Sequence, residues 1–296
     1  MTTVPPSVEP PGWRPPPDPP ELPEGVEPTS GRPRWPPWTS FVALIAAFGG
    51  ALGGGLVVAV IAAIAGADLA NPPAAVNIVS LVVQDGCFIG AAIMFARMVA
   101  PVRPWQFGLR PPTVPPARAL GAVIATYVGF IAFSAAWVAV LGIDERDNLP
   151  DELGVNSSTV ALIAVAFLVT VVAPIAEEFF FRGYFFPALR NWKGLWPAAL
   201  ITGTVFGAIH LGSAPAGYLV PLGVFGVLLC LLYARTGSLY PCIALHCLNN
   251  SIAFGTTVHW DWQIPLLLAG ALATIAGAAL AVRRAFGPAP AWPSPV

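Results

Sequence analysis

Between residues 39 and 282 the chain divides into eight apolar stretches, each close to the length a helix needs to cross a bilayer. They run over 39–64, 75–97, 118–142, 158–182 (continuing toward 190), 196–212, 217–234, 238–256 and 262–282. A helix that spans the hydrocarbon core needs about 20 apolar residues. Only 10% of the 296 residues are charged and 56% are hydrophobic, whereas a soluble domain carries roughly 25% charged residues. So few charges cannot clothe a water-facing surface, and lipid must be the solvent for most of the chain. The expected fold is therefore all-α: a polytopic integral membrane protein of about eight transmembrane helices. Glycines inside the spans, such as Gly49-Gly50 and Gly53-Gly54-Gly55, suit close helix packing in lipid.

The connecting loops test this count. Arg32 and Arg34 precede the first span, and the next loop has no Lys or Arg. Arg97, Arg103, Arg110 and Arg118 follow the second span, and a loop with Arg146 against five acids follows the third. Arg190 and Lys193 follow the fourth, Arg235 the sixth, and Arg283 with Arg284 the last, while the remaining loops have none. Positive charge collects on the cytoplasmic side. Every second loop is positive, as eight spans require, so both termini are expected in the cytoplasm.

Residues 1–38 hold 14 of the 34 prolines and no apolar run. Such a segment has no hydrophobic face to bury and reads as a disordered Pro-rich tail, with no apolar region of a secretory signal. The transmembrane domain is then 39–285, and 286–296 is a short second Pro-rich tail. A net charge of −1 and the absence of a basic cluster argue against nucleic-acid binding. Cys87, Cys230, Cys242 and Cys247 form no CxxC pair and read as reduced apolar-core residues. The composition is rich in Ala, Pro and Arg and poor in Lys, which fits a protein of a high-GC bacterium, placed in its plasma membrane.

Ionisable residues inside a membrane are costly and mark functional sites by default. Here they are Asp85, Glu177, Glu178, Arg182, His210 and His246, with the polar Asn250 beside them. Counted from the Arg190/Lys193 border, Glu177 lies about 20 Å and His210 about 25 Å deep at 1.5 Å per residue. From Arg235, His246 is about 16 Å and Asn250 about 22 Å deep. Three helices thus place polar groups at overlapping depth, as one buried site requires, with an opening expected toward the turn near Arg190. Glu178 and Arg182 are i,i+4 with the acid first, the favoured order for an ion pair. Glu177 is rotated about 100° from Glu178 and points elsewhere. His246 and Asn250 are also i,i+4. Pro174 removes a backbone donor and can kink the helix where the acids enter. Glutamate and histidine are the parts of water activation, and a histidine and an amide can stabilise an oxyanion. A Glu plus two His is equally a ligand set for zinc, although no HExxH is present. Asp85 belongs to no motif and reads as interhelical glue, the phenylalanines at 179–181, 185 and 186 as lipid-facing or packing residues, and His259 beside Trp260 as interfacial.

Glu177-Glu178-Phe179-Phe180-Phe181-Arg182 reads EExxxR, Phe206 to His210 reads FxxxH, and His246 to Asn250 reads HxxxN. The three motifs in this order on consecutive deep helices resemble the CAAX prenyl endopeptidase and bacteriocin-processing (CPBP) family of intramembrane proteases, over about residues 155–256. The resemblance implies that Glu177 activates water with His210, that His246 and Asn250 stabilise the oxyanion, and that Glu178 and Arg182 hold the site together or bind substrate. It implies a membrane protein or peptide as substrate. It leaves open a divalent metal such as zinc on Glu177, His210 and His246, and a metal-free glutamate mechanism. Two other classes compete: a proton-coupled transporter, disfavoured because no internal repeat is visible, and a catalytically silent membrane scaffold or immunity protein.

Overall fold

A computed structural model describes residues 35–145 and 148–289, and these contain no strand. Eight long helices occupy the eight apolar stretches: α1 (Pro37–Ile64), α2 (Ala74–Arg97), α3 (Pro116–Leu141), α4 (Thr159–Lys193), α5 (Leu195–Ala208), α6 (Leu219–Thr236), α7 (Leu239–Thr257) and α8 (Gln263–Phe286). Six are long and apolar enough to cross a membrane. The other two are α5, which has 14 residues, and α7, whose His246, Asn249 and Asn250 lower its hydropathy. These two carry, or lead directly into, the HxxxN and FxxxH motifs.

The helices sort by burial. In the most apolar window of α1 and of α3 only 6% of residues are buried, against 44% in α4. α4 is therefore the central post and α1 and α3 face outward. Its phenylalanines are core and not lipid-facing: Phe180, Phe181, Phe185 and Phe186 are fully buried and Phe179 nearly so. They meet Phe88 of α2 and Phe206 of α5 edge to face and stack on Phe107 of the α2–α3 loop. The segment read as tail reaches into this cluster. Trp35 is buried against Phe107 and Tyr184, and Thr39 accepts a hydrogen bond from the Tyr184 hydroxyl (2.7 Å). Residues 1–34 and 290–296, most of the two expected tails, lie outside the described residues.

α5 and α6 approach through glycine. A Cβ on Gly207 would lie 2.6 Å from the Leu219 carbonyl oxygen, and one on Gly226 2.8 Å from the Gly203 Cα. Small residues at such crossings replace side-chain packing by backbone contact. α5 stops at Ala208, and His210 stands in the turn beyond it rather than within a span. The cause is local: Gly212 takes a left-handed φ of 89° and Pro215 follows. That turn satisfies its own backbone, with amides of residues 209–211 bonded to carbonyls of 205, 207 and 208, the condition for non-helical chain at membrane depth. His259, with φ of 57°, turns the chain between α7 and α8.

Candidate active site

α4 is not a regular helix. π-helical turns at Leu168–Val172 and Phe181–Phe185 interrupt it, and each is followed two residues later by a proline, Pro174 and Pro187. The local reason is a missing donor. The Ala173 amide bonds to the Leu168 carbonyl. Pro174, next in that i→i−5 register, has no N–H to offer Val169. The Val169 carbonyl is left over, and Asn250 of α7 donates its Nδ2–H to it at 3.0 Å. An unpaired buried carbonyl costs about 1–3 kcal/mol, so this bond ties α7 to α4 just before the two glutamates. π-turns of this kind recur at functional sites.

Five residues of three motifs meet next to that tie. Arg182 and Glu178 are fully buried, and Arg182 Nη1 donates to Glu178 Oε1 at 2.8 Å. Its Nη2 donates to the Gly226 carbonyl at 3.1 Å, and its guanidinium lies 4.4 Å from the Phe206 ring centroid, a cation–π contact. His246, also buried, places Nδ1 2.8 Å from the same Glu178 Oε1. A carboxylate only accepts, so Nδ1 carries the proton. The other nitrogen, Nε2, faces Glu177 Oε2 at 3.9 Å. That distance is beyond a direct hydrogen bond and within reach of one bridging water. Oε2 of Glu177 is buried without a hydrogen-bond partner. Each of the two adjacent acids keeps a buried oxygen without a hydrogen-bond partner, Glu177 Oε2 and Glu178 Oε2; they differ in that Glu178 Oε1 is held by a cation and an imidazole, whereas Glu177 accepts no hydrogen bond from the described residues.

His210 is placed at the margin. Its Nδ1 donates to the Phe206 carbonyl at 2.7 Å, which leaves Nε2 as the acceptor of a neutral ring. Phe206 lies between the two imidazoles, 4.9 Å from His210 and 5.8 Å from His246 by ring centroids. Among the described residues no three His, Cys, Asp or Glu side chains are gathered closely enough to hold a metal ion. Glu177, His210 and His246 as placed do not form a zinc site. Along α4 from Glu178 to Leu189 every residue is buried, and Arg190, at the turn toward which the opening is expected, is partly exposed. Two features were not read from the sequence. One is the bond between His246 and Glu178, and the other is the place of Asp85. Asp85 is buried on α2 with Oδ2 unpartnered, and it lies within electrostatic range of Glu177.

Fold and site define a polytopic α-helical membrane protein with a buried glutamate–histidine–arginine cluster. Residues 159–252, about a third of the chain, match the family described as type II CAAX prenyl endopeptidase, Rce1-like, and over that segment the chain is similar to the CAAX proteases. No curated protein and no solved structure matches the chain.

Proposed function

We propose that the chain is an intramembrane endopeptidase that hydrolyses a peptide bond of a membrane protein or peptide, with Glu177 as general base. The observation that carries this reading is the contrast between the two glutamates. Glu178 is paired with Arg182 and His246 through Oε1, while Glu177 has no cation and no hydrogen bond from the described residues, and its unpartnered Oε2 lies opposite His246 Nε2. A base needs a carboxylate free to accept a proton. Water beside Glu177 loses a proton to it, the water oxygen attacks the substrate carbonyl, and the electron pair moves onto the carbonyl oxygen; when that pair returns the C–N bond breaks and the leaving nitrogen takes the proton from Glu177. His210, with Nε2 free, assists on the Glu177 side. Asn250 has a second amide proton beyond the one given to Val169, and that N–H donates to the oxyanion. Glu178 orients His246 and fixes its tautomer through Nδ1, as the carboxylate of a hydrolytic triad does.

The site lies in the plasma membrane of a bacterium on this reading, with both termini in the cytoplasm and a membrane-bound peptide as substrate. The test uses protein in lipid nanodiscs and a quenched fluorescent peptide ending in a farnesylated CAAX sequence. Wild-type protein cleaves it, and Glu177→Gln lowers the rate by at least about 100-fold, the lower end of what a general base contributes, with unchanged expression. Retained cleavage in Glu177→Gln removes the base assignment. No cleavage by the wild type, with protons or solutes moved across liposomes, would favour the transporter.

A further inference from the structure

α2 and α4 run in the same direction. The start of α2 lies against the loop that enters α4, where Asn77 Nδ2 donates to the Glu152 carbonyl at 2.9 Å and a Cβ on Gly154 would touch Ala74 at 2.8 Å. Farther along, Phe88 of α2 meets Phe180 and Phe181 of α4, with ring centroids 5.1 and 6.1 Å apart. One turn earlier on each helix, three residues and about 4.5 Å of rise, stand Asp85 and Glu177. Side chains three apart share a helix face, so parallel helices in contact at Phe88 and Phe180 bring these two acids level. Asp85 lies within electrostatic range of Glu177. It is only 3% exposed, and its Oδ2, like Glu177 Oε2, is buried without a hydrogen-bond partner.

We propose that Asp85 is a positioning residue of the site: its carboxyl, level with that of Glu177 across α2 and α4, forms with it the acceptor pair that holds the attacking water. This rests on the assignment of Glu177 as base. Water has two protons and the pair offers two free oxygens. Glu177 removes one proton as the O–H bond breaks and the C–O bond forms. Asp85 keeps the other O–H in a hydrogen bond and so fixes the direction of the lone pair that attacks. Interhelical glue is a weaker account, because a glue residue has a partner and Asp85 Oδ2 has none. α1, on the other side of α2, carries no charged residue that could serve.

The test is a double-mutant cycle in nanodiscs with Asp85→Asn, Glu177→Gln and the pair, read by melting temperature and, separately, by cleavage of the farnesylated peptide. An amide at 85 removes a buried charge and breaks no protein hydrogen bond at Oδ2. Each single variant therefore melts no lower than wild type. The double variant departs from the sum of the two shifts by at least about 2 °C, as interacting neighbours do. Asp85→Asn lowers kcat at least about tenfold with KM unchanged, the pattern of an interaction made only in the transition state. Additive melting shifts, or a destabilised Asp85→Asn with normal kcat, would overturn the proposal. Non-additive shifts in a wild type that cleaves nothing would keep the Asp85–Glu177 pair and remove the protease reading instead. Should Asp85→Asn not fold, the pairing is overturned, since that loss marks a structural role.

Discussion

At the scale of single residues, adjacency in sequence conceals a difference of environment. Glu177 and Glu178 are chemically identical, and helical phase alone separates them, because Arg182 lies one turn beyond Glu178 on the same face. The structure adds His246 to that side, so Glu178 Oε1 accepts from both Arg182 and His246. Glu178→Gln weakens both contacts and strands a guanidinium that is fully buried. Removing one partner of a buried pair costs about 3–5 kcal/mol. The expected outcome is a variant with lowered melting temperature and poor yield, in contrast to a stable and inactive Glu177→Gln. Melting curves and cleavage rates of the two variants side by side check this. A stable but inactive Glu178→Gln beside an active Glu177→Gln would reverse the assignment. The donor geometry also bears on metal dependence. With no three ligands gathered, cleavage survives dialysis against a strong chelator, measured with metal content on the same sample; loss of activity restored by zinc would show that His210 swings in to complete a site. The Glu178–Arg182 pair was legible in the sequence because it depends on spacing within one helix. The approach of Asp85 to Glu177 was not, because it depends on how two distant helices pack.

At the scale of elements, proline marks more than a kink. Pro174 read as a helix disturbance, and so it is, but its effect is to free one carbonyl. The register of a π-turn cannot be read from the sequence: it is set by which amides find acceptors, and Pro174 changes that count by one. Asn250→Ala leaves the Val169 carbonyl without its partner, at a cost of about 1–3 kcal/mol, seen as a lower melting temperature. Pro174→Ala restores an amide in register for that carbonyl and removes a residue about 3 kcal/mol unfavourable to helix interiors. The double variant is therefore expected to recover the stability lost in Asn250→Ala while cleaving peptide no better than it does. Failure of Pro174→Ala to rescue melting would show that the carbonyl bond is not what holds α7 to α4. His210 shows the opposite limit of sequence reading. Its motif was recognised, but hydropathy carried the fifth span on to 212, and only the backbone of Gly212 shows that the helix ends before the histidine.

At the scale of the whole molecule, the alternation of charged loops gains a structural counterpart. Thr113 N of the α2–α3 loop donates to the Thr236 carbonyl, and Arg110 Nε donates to the Gly237 carbonyl, so the loops after α2 and after α6 share one end. Trp35, at the entry to α1, packs on Phe107 of the first of these. The loops after α1, α3 and α5 share the other end: Gly154 lies against Ala74, and the Gly217 amide donates to Glu145 Oε2 at 3.0 Å. The first end carries Arg97, Arg103, Arg118 and Arg235. The second, among its described residues, carries acids and no Lys or Arg. Eight helices that alternate return the C-terminus to the end at which α1 begins. Because positive loops stay on the cytoplasmic side, that end is predicted to be cytoplasmic, with Asn148 on the outer face. Reporters fused after residue 148 and near residue 290, one active only outside and one only inside, should give opposite signals. Identical signals from both would mean that α5 or α7, the two helices below the usual length or hydropathy, does not cross, and the depth at which His246 faces Glu177 would then have to be set by a re-entrant turn instead of a span.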